Sequence, residues 1–105
     1  MEHQERRRQI LDQMAQIECM EKGRLSEEYR ESRRGGKAVR LGPYYKHQCW
    51  ENGRNASRRV PAEEVERLRE GVDGYHRFRE LADEFVEETV AMTRESDGEG
   101  KKKPG

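Results

Sequence analysis

The chain has 105 residues, 42% of them charged and 30% apolar, and its formal net charge is zero. That balance excludes the global basic field of an indiscriminate nucleic-acid coat, though it leaves room for a local basic patch. No apolar run approaches membrane-spanning length and MEHQERRRQ has no signal-peptide core, so a cytoplasmic chain with no membrane partner is expected.

In chain order, residues 2–22 read as a helix. Ile10, Met14 and Ile17 recur at i, i+4 and i+7, flanked by Leu11 and Met20, which makes a narrow apolar stripe. Gly23 follows as a natural stop. Arg6, Arg7 and Arg8 sit unfavourably near the positive end of the helix, partly offset by Glu2 and Glu5. They read as a solvated face rather than a phosphate site.

Residues 24–41 read as an irregular basic connector, broken at Gly35-Gly36. Residues 25–29 form either a third strand or a short helical turn. Arg33, Arg34, Lys37 and Arg40 make this the most basic stretch of the ordered region, partly neutralised by Glu27, Glu28 and Glu31.

Residues 43–60 read as an antiparallel β-hairpin. Asn52-Gly53 is the preferred pair for a type I′ turn, because both central residues need positive φ. That turn places Glu51 opposite Arg54, Trp50 opposite Asn55 and Tyr45 opposite Val60. Alternation then divides the side chains. Tyr45, His47 and Cys49 share a face with Ala56, Arg58 and Val60, the better candidate to sit on helices. Tyr44, Lys46, Gln48 and Trp50 share the other with Asn55, Ser57 and Arg59. Two readings of this second face compete. Trp50 or Tyr44 stacks on a base while Lys46 and Arg59 meet phosphates, or Trp50 closes over a helix and the cations are a solvated rim. The second is the commoner fate of an aromatic.

Residues 61–94 read as helical. Pro61 suits the first position, with Glu63 and Glu64 in the favourable first turn. Val65, Leu68, Val72 and Tyr75 set the stripe, and Phe78, Leu81, Phe85 and Met92 continue it after a phase slip, widened by Val86 and Val90. Gly71 and Gly74 lie near the slip, so a kink or break at Val72-Asp73 is expected. Residues 96–105, SDGEGKKKPG, hold no large apolar side chain and read as a disordered tail.

No catalytic or cofactor motif is present, so the chain is not expected to be an enzyme, and no metal or cofactor is implied. His3, His47 and His76 lack metal-ligand spacing. Cys19 and Cys49 have no disulfide framework and read as small buried hydrophobes. His47 and Cys49 share a face but stand ~7 Å apart as i, i+2 strand neighbours, too far for direct activation.

Several signatures occur in order. These are Gly23-x-Leu25-x-x-x-Tyr29, GPYY at residues 42–45, the Asn-Gly turn, Ser57-Arg58-x-Val60-Pro61 and Tyr75-x-x-Phe78-Arg79-Glu80-Leu81. The series resembles an uncharacterised family of small bacterial and archaeal domains, often recorded beside or within transposase genes. The resemblance covers about residues 23–92. Family members usually carry C-G-K-x-x-C-x-C before GPYY; here that stretch is SRRGGKAVR, so no metal role carries over. What the resemblance implies is a mobile-element or nucleic-acid context.

The expectation is therefore a mostly helical α+β domain over residues 1–95, with an N-terminal helix, an antiparallel hairpin of two or three strands, and a long kinked or broken C-terminal helix whose residues 75–94 pack on the first, within one chain or across a dimer. Its expected role is that of a nucleic-acid-associated module, binding DNA or RNA. Arg33, Arg34, Lys37, Arg40, Tyr44, Lys46, Trp50 and Arg59 would form the contact surface. The alternative is a protein-interaction or assembly module that oligomerises through its helices. Roughly two dozen large apolar side chains between Ile10 and Met92 make a thin core that a homo-oligomer or protein partner would complete.

Overall fold

A computed structural model describes residues 2–101, with side chains for residues 2–97. Helix α1 spans Glu2–Ala15, and strands β1 (Arg24–Arg34), β2 (Lys37–Glu51) and β3 (Arg54–Val60) follow. A 3₁₀ turn at Ala62–Glu64 then leads into helix α2, Val65–Lys101. The strands form one antiparallel sheet in the order β1-β2-β3. The α+β class and the three-strand form of the hairpin are both present.

Contacts divide the chain into two compact units. One is the sheet with the start of α2 (Cys19–Tyr75), and the other is α1 with α2 from His76 onward. The division follows from α2 changing partners along its length. Val65, Leu68 and Val72 join Val60 in a buried cluster, against which Leu25 and Tyr45 pack. Cys49 and His47 are also buried. The core of this unit therefore lies between one sheet face, the face bearing Tyr45, His47 and Cys49, and the start of α2.

In the helical unit Ile10 and Leu81 are both fully buried. Polar contacts set an antiparallel register: Arg77 Nη2 donates to Gln13 Oε1 at 3.0 Å, Arg6 pairs with Glu84, and His3 bonds Glu88. Arg7 lies 4.6 Å over the Phe85 ring. Arg6 and Arg7 are thus engaged within their own unit, half-buried instead of lying on the solvated face expected of them, whereas Arg8 is exposed.

Four expectations about elements are corrected. Helix α1 ends at Ala15 instead of residue 22. Its last turn tightens through Gln16 N–H to Gln13 O and Ile17 N–H to Met14 O, both 3.2 Å. The chain then leaves the helix so that Glu21 N–H can reach Gly71 O at 2.8 Å, a tertiary bond that outcompetes the helical pattern. Gly23 is therefore no helix stop. It lies at φ +103°, tight against the Gln48 carbonyl beside His47.

The connector at residues 24–41 is no loop either. Gly35 (φ +59°) and Gly36 (φ +79°) close a second tight hairpin, and β1 pairs with β2 from Arg24↔Gln48 to Arg34↔Lys37. Next, α2 runs unbroken through Gly71 and Gly74. Gly71 is buried where the chain at Glu21 meets the helix backbone, so it makes room for a close approach rather than ending the helix. Finally, residues 96–101 continue α2, and the rest of the expected tail, 102–105, lies outside the described residues.

Candidate nucleic-acid interface

The Asn-Gly turn forms as its residues dictate, with Asn52 at φ +50° and Gly53 at φ +75°. The register it sets is the expected one, from Glu51↔Arg54 through Trp50↔Asn55 to Tyr45↔Val60. Strand β3 pairs only with residues 45–51 of β2. The remainder of β2 has β1 as its sole strand partner, so residues 30–41 form a two-stranded arm extending from the three-stranded sheet.

A bulge marks the root of this arm. The pairing steps from Glu28↔Tyr44 to Arg30↔Leu41, so that Gly42 and Pro43 of β2 oppose Tyr29 alone on β1; a cis peptide bond joins them. Gly42 sits at φ +131°, where a Cβ would stand 2.9 Å from the Glu28 carbonyl oxygen. Only glycine fits that approach without displacing the partner strand. GPYY is thus the place where sheet becomes arm.

Side-chain alternation across the bulge gives the face turned away from the buried cluster its composition. It carries Arg24, Ser26, Glu28 and Arg30 from β1, Tyr44, Lys46, Gln48 and Trp50 from β2, and Asn55, Ser57 and Arg59 from β3. Arg34 and Lys37 continue it along the arm. Arg24, Arg30, Arg34, Lys37, Lys46 and Arg59 thus face a single carboxylate, that of Glu28. Zero net charge over the chain conceals a strongly basic sheet face.

Tyr44 organises its centre. The Arg59 guanidinium lies 4.3 Å and that of Arg30 5.2 Å from the ring centroid. β1 and β3 flank β2 on opposite sides, so the phenol stands between two cations. With Lys46, Ser57 and Glu28 they line a depression of about 180 Å³. Trp50 is 71% exposed, which overturns the reading of its indole as closed over a helix. Trp50 lies toward the turn end of β2, where no apolar neighbour in the buried cluster reaches it.

The arm bears Arg33 and Arg40 as well as Arg34 and Lys37. Arg40 stacks 3.9 Å over Tyr29, whose hydroxyl donates to Glu27 at 2.8 Å. That bond to a carboxylate holds the Tyr29 phenol above its usual pKa. The eight residues expected to make contact therefore separate into two groups. Arg33, Arg34, Lys37 and Arg40 are on the arm; Tyr44, Lys46, Trp50 and Arg59 are on the sheet face. Sequence reasoning missed Arg30, because its place beside Tyr44 depends on a strand pairing that residues 24–34 do not announce.

On the buried face, His47 Nε2–H donates to the Lys22 carbonyl at 2.8 Å, and burial pushes the Cys49 thiol up. Cys49 is buried as expected, whereas Cys19 is exposed and both are free. Cys19 lies in the stretch that leaves α1, so the burial expected of it is not found. Among the described residues no helix is long and apolar enough to cross a membrane.

Residues 2–70 match the family model described as a domain of unknown function (DUF6788), and the chain belongs to that family. The match takes in α1, the whole sheet with its arm, and the start of α2, consistent with a small uncharacterised domain. No curated protein and no solved structure matches the chain.

Proposed function

We propose that this protein is a non-enzymatic nucleic-acid-associated module, acting in a mobile-element context, that contacts its target through the outer sheet face and the arm. One observation carries the reading: in a chain with zero net charge, eight of the 22 lysines and arginines lie on one sheet face and its arm, where only Glu28 and Glu31 oppose them. Such clustering is the electrostatic footprint of phosphate binding. Guanidiniums held beside an aromatic ring suit it further, because their planar forks are pre-ordered for phosphate oxygens. The transposon-associated context rests on the family resemblance carried by GPYY and the YxxFREL helix. Electrophoretic mobility shift across a salt series tests the proposal. Binding should weaken steeply as salt rises; no binding at low salt, or a log–log slope near zero, refutes it.

A second reading, a protein-assembly module, is favoured by Leu11, Val86 and Val90, which are 50%, 56% and 36% exposed on the two helices of the helical unit. Sedimentation tests it, since a compact, stable monomer would count against it. Charge reversal of Arg33, Arg34 and Arg40 separates the two, because it should abolish nucleic-acid binding and leave self-association intact.

A further inference from the structure

We propose that the arm, residues 30–41, inserts into the major groove of double-stranded DNA while Arg30, Lys46 and Arg59 at its root hold a flanking phosphate. This rests on the nucleic-acid reading above and narrows it from any nucleic acid to B-form duplex.

Little stabilises the arm from within beyond Glu31 opposite Arg40 and the stack of Arg40 on Tyr29. No residue from Arg30 to Leu41 is buried, and a two-stranded hairpin without a covered face is marginal in water. Its charges weaken it further. Arg34 and Lys37 are direct cross-strand partners at the tip, and like charges so placed are destabilising. Around the tip a Cβ on Gly35 or Gly36 would meet nothing within 4 Å. A narrow basic ribbon with an unobstructed end needs an anionic environment on both sides, and a DNA groove walled by phosphates supplies one.

Dimensions select the groove. The two strands lie ~4.8 Å apart and five paired residues extend ~17 Å. The B-DNA major groove, ~12 Å wide and ~8.5 Å deep, admits a two-stranded ribbon, and the minor groove, ~6 Å wide, does not without distortion. A-form RNA is disfavoured because its major groove is deep and too narrow to enter.

Single strands are disfavoured by the aromatics. A single-strand platform stacks successive bases on exposed rings, but Tyr44 is flanked by Arg30 and Arg59 and Tyr29 is capped by Arg40. Trp50 is the exposed ring of the outer face, six residues along β2 from Tyr44 or ~20 Å away. The flanked tyrosine serves instead as a spacer that holds two guanidiniums for one phosphate, at the point where the arm leaves the sheet.

The test is fluorescence anisotropy with the full chain and a labelled DNA duplex of about 20 base pairs, its separate strands, and an RNA duplex of the same sequence, at roughly 50 mM salt. The duplex DNA should bind about tenfold or more tighter than either alternative. In R33A/R34A/K37A the log–log salt slope should fall by about 3, since each phosphate contact contributes roughly 0.9. Circular dichroism of that variant should match the parent, because all three side chains are exposed. Methyl green, a major-groove ligand, should displace the protein, and distamycin, which fills the minor groove, should not. Preference for single strands or RNA, an unchanged slope in the arm variant, or displacement by distamycin alone would each overturn the proposal while leaving nucleic-acid binding standing. Failure to bind any of the probes would overturn the underlying reading as well.

Discussion

Replacing Gly71 with alanine sets a gain in helix propensity against a larger steric and hydrogen-bond loss. In an unobstructed helix interior the change would stabilise the protein by ~1 kcal/mol. Here a Cβ would stand 2.9 Å from the Glu21 Cβ and 3.2 Å from the Glu21 backbone nitrogen. Neither atom is the end of a flexible side chain, so the stretch around Glu21, between α1 and β1, has to move. Overpacking of that kind costs ~1–3 kcal/mol. The movement also lengthens the 2.8 Å bond from Glu21 N–H to Gly71 O, a further loss of ~0.5–1.5 kcal/mol. The sum is a destabilisation of about 2 kcal/mol, or a midpoint lowered by roughly 10 °C for a domain of this size. Thermal unfolding followed by circular dichroism reads it directly. In the background of Gly71→Ala, Glu21→Gly removes the opposing Cβ and should recover part of the loss. An unchanged or higher midpoint in Gly71→Ala alone would refute the reasoning, because it would mean that helix propensity prevails and the contact is loose.

Three further outcomes are expected. His3 bonds Glu88 at 2.8 Å and Glu95 at 3.1 Å, and these carboxylates, Glu88 foremost, raise its pKa above 6.5. The folded state therefore favours the imidazolium. The associated stability is fully present below pH 6.5 and is lost as pH rises through the higher folded value. An NMR titration placing His3 at or below 6.5 would contradict this, and His3→Ala should flatten the pH dependence in that window. Trp50, the single tryptophan, is 71% exposed; its fluorescence should be that of a water-exposed indole, and Trp50→Ala should shift stability by no more than ~0.5 kcal/mol, against the several kcal/mol expected of a core aromatic. A thiol reagent at neutral pH should label exposed Cys19 in the folded protein and reach buried Cys49 only after denaturation, because burial holds that thiol in its unreactive protonated form. Labelling of both in the folded state would show that the face bearing Cys49 opens.

Much of the sheet was legible because its determinants are local. An Asn-Gly pair can occupy consecutive positive-φ positions, and once it does, alternation assigns every side chain of β2 and β3 to a face. The apolar spacing of Val65, Leu68 and Val72 likewise identified the helix surface that meets the sheet. Strand β1 was harder to read, since Arg-Leu-Ser-Glu-Glu-Tyr-Arg-Glu-Ser-Arg-Arg offers no sustained alternation. Its extended form comes from pairing with β2, which puts Glu31 opposite Arg40 and Arg30 beside Tyr44. The same dependence on a distant partner hid the end of α1 and the purpose of Gly71.

The chain's own chemistry thus determined the Asn52-Gly53 turn, the register around it and the apolar spacing of Val65, Leu68 and Val72, because turn geometry and periodicity act over a few residues; the outer stripe positions Leu11, Val86 and Val90 are exposed. Tertiary structure alone decided that a presumed connector is a basic arm, that Trp50 is exposed, and that zero net charge separates into a cationic sheet face. Those outcomes depend on which remote backbone groups find each other, and local sequence carries no energy term for that choice.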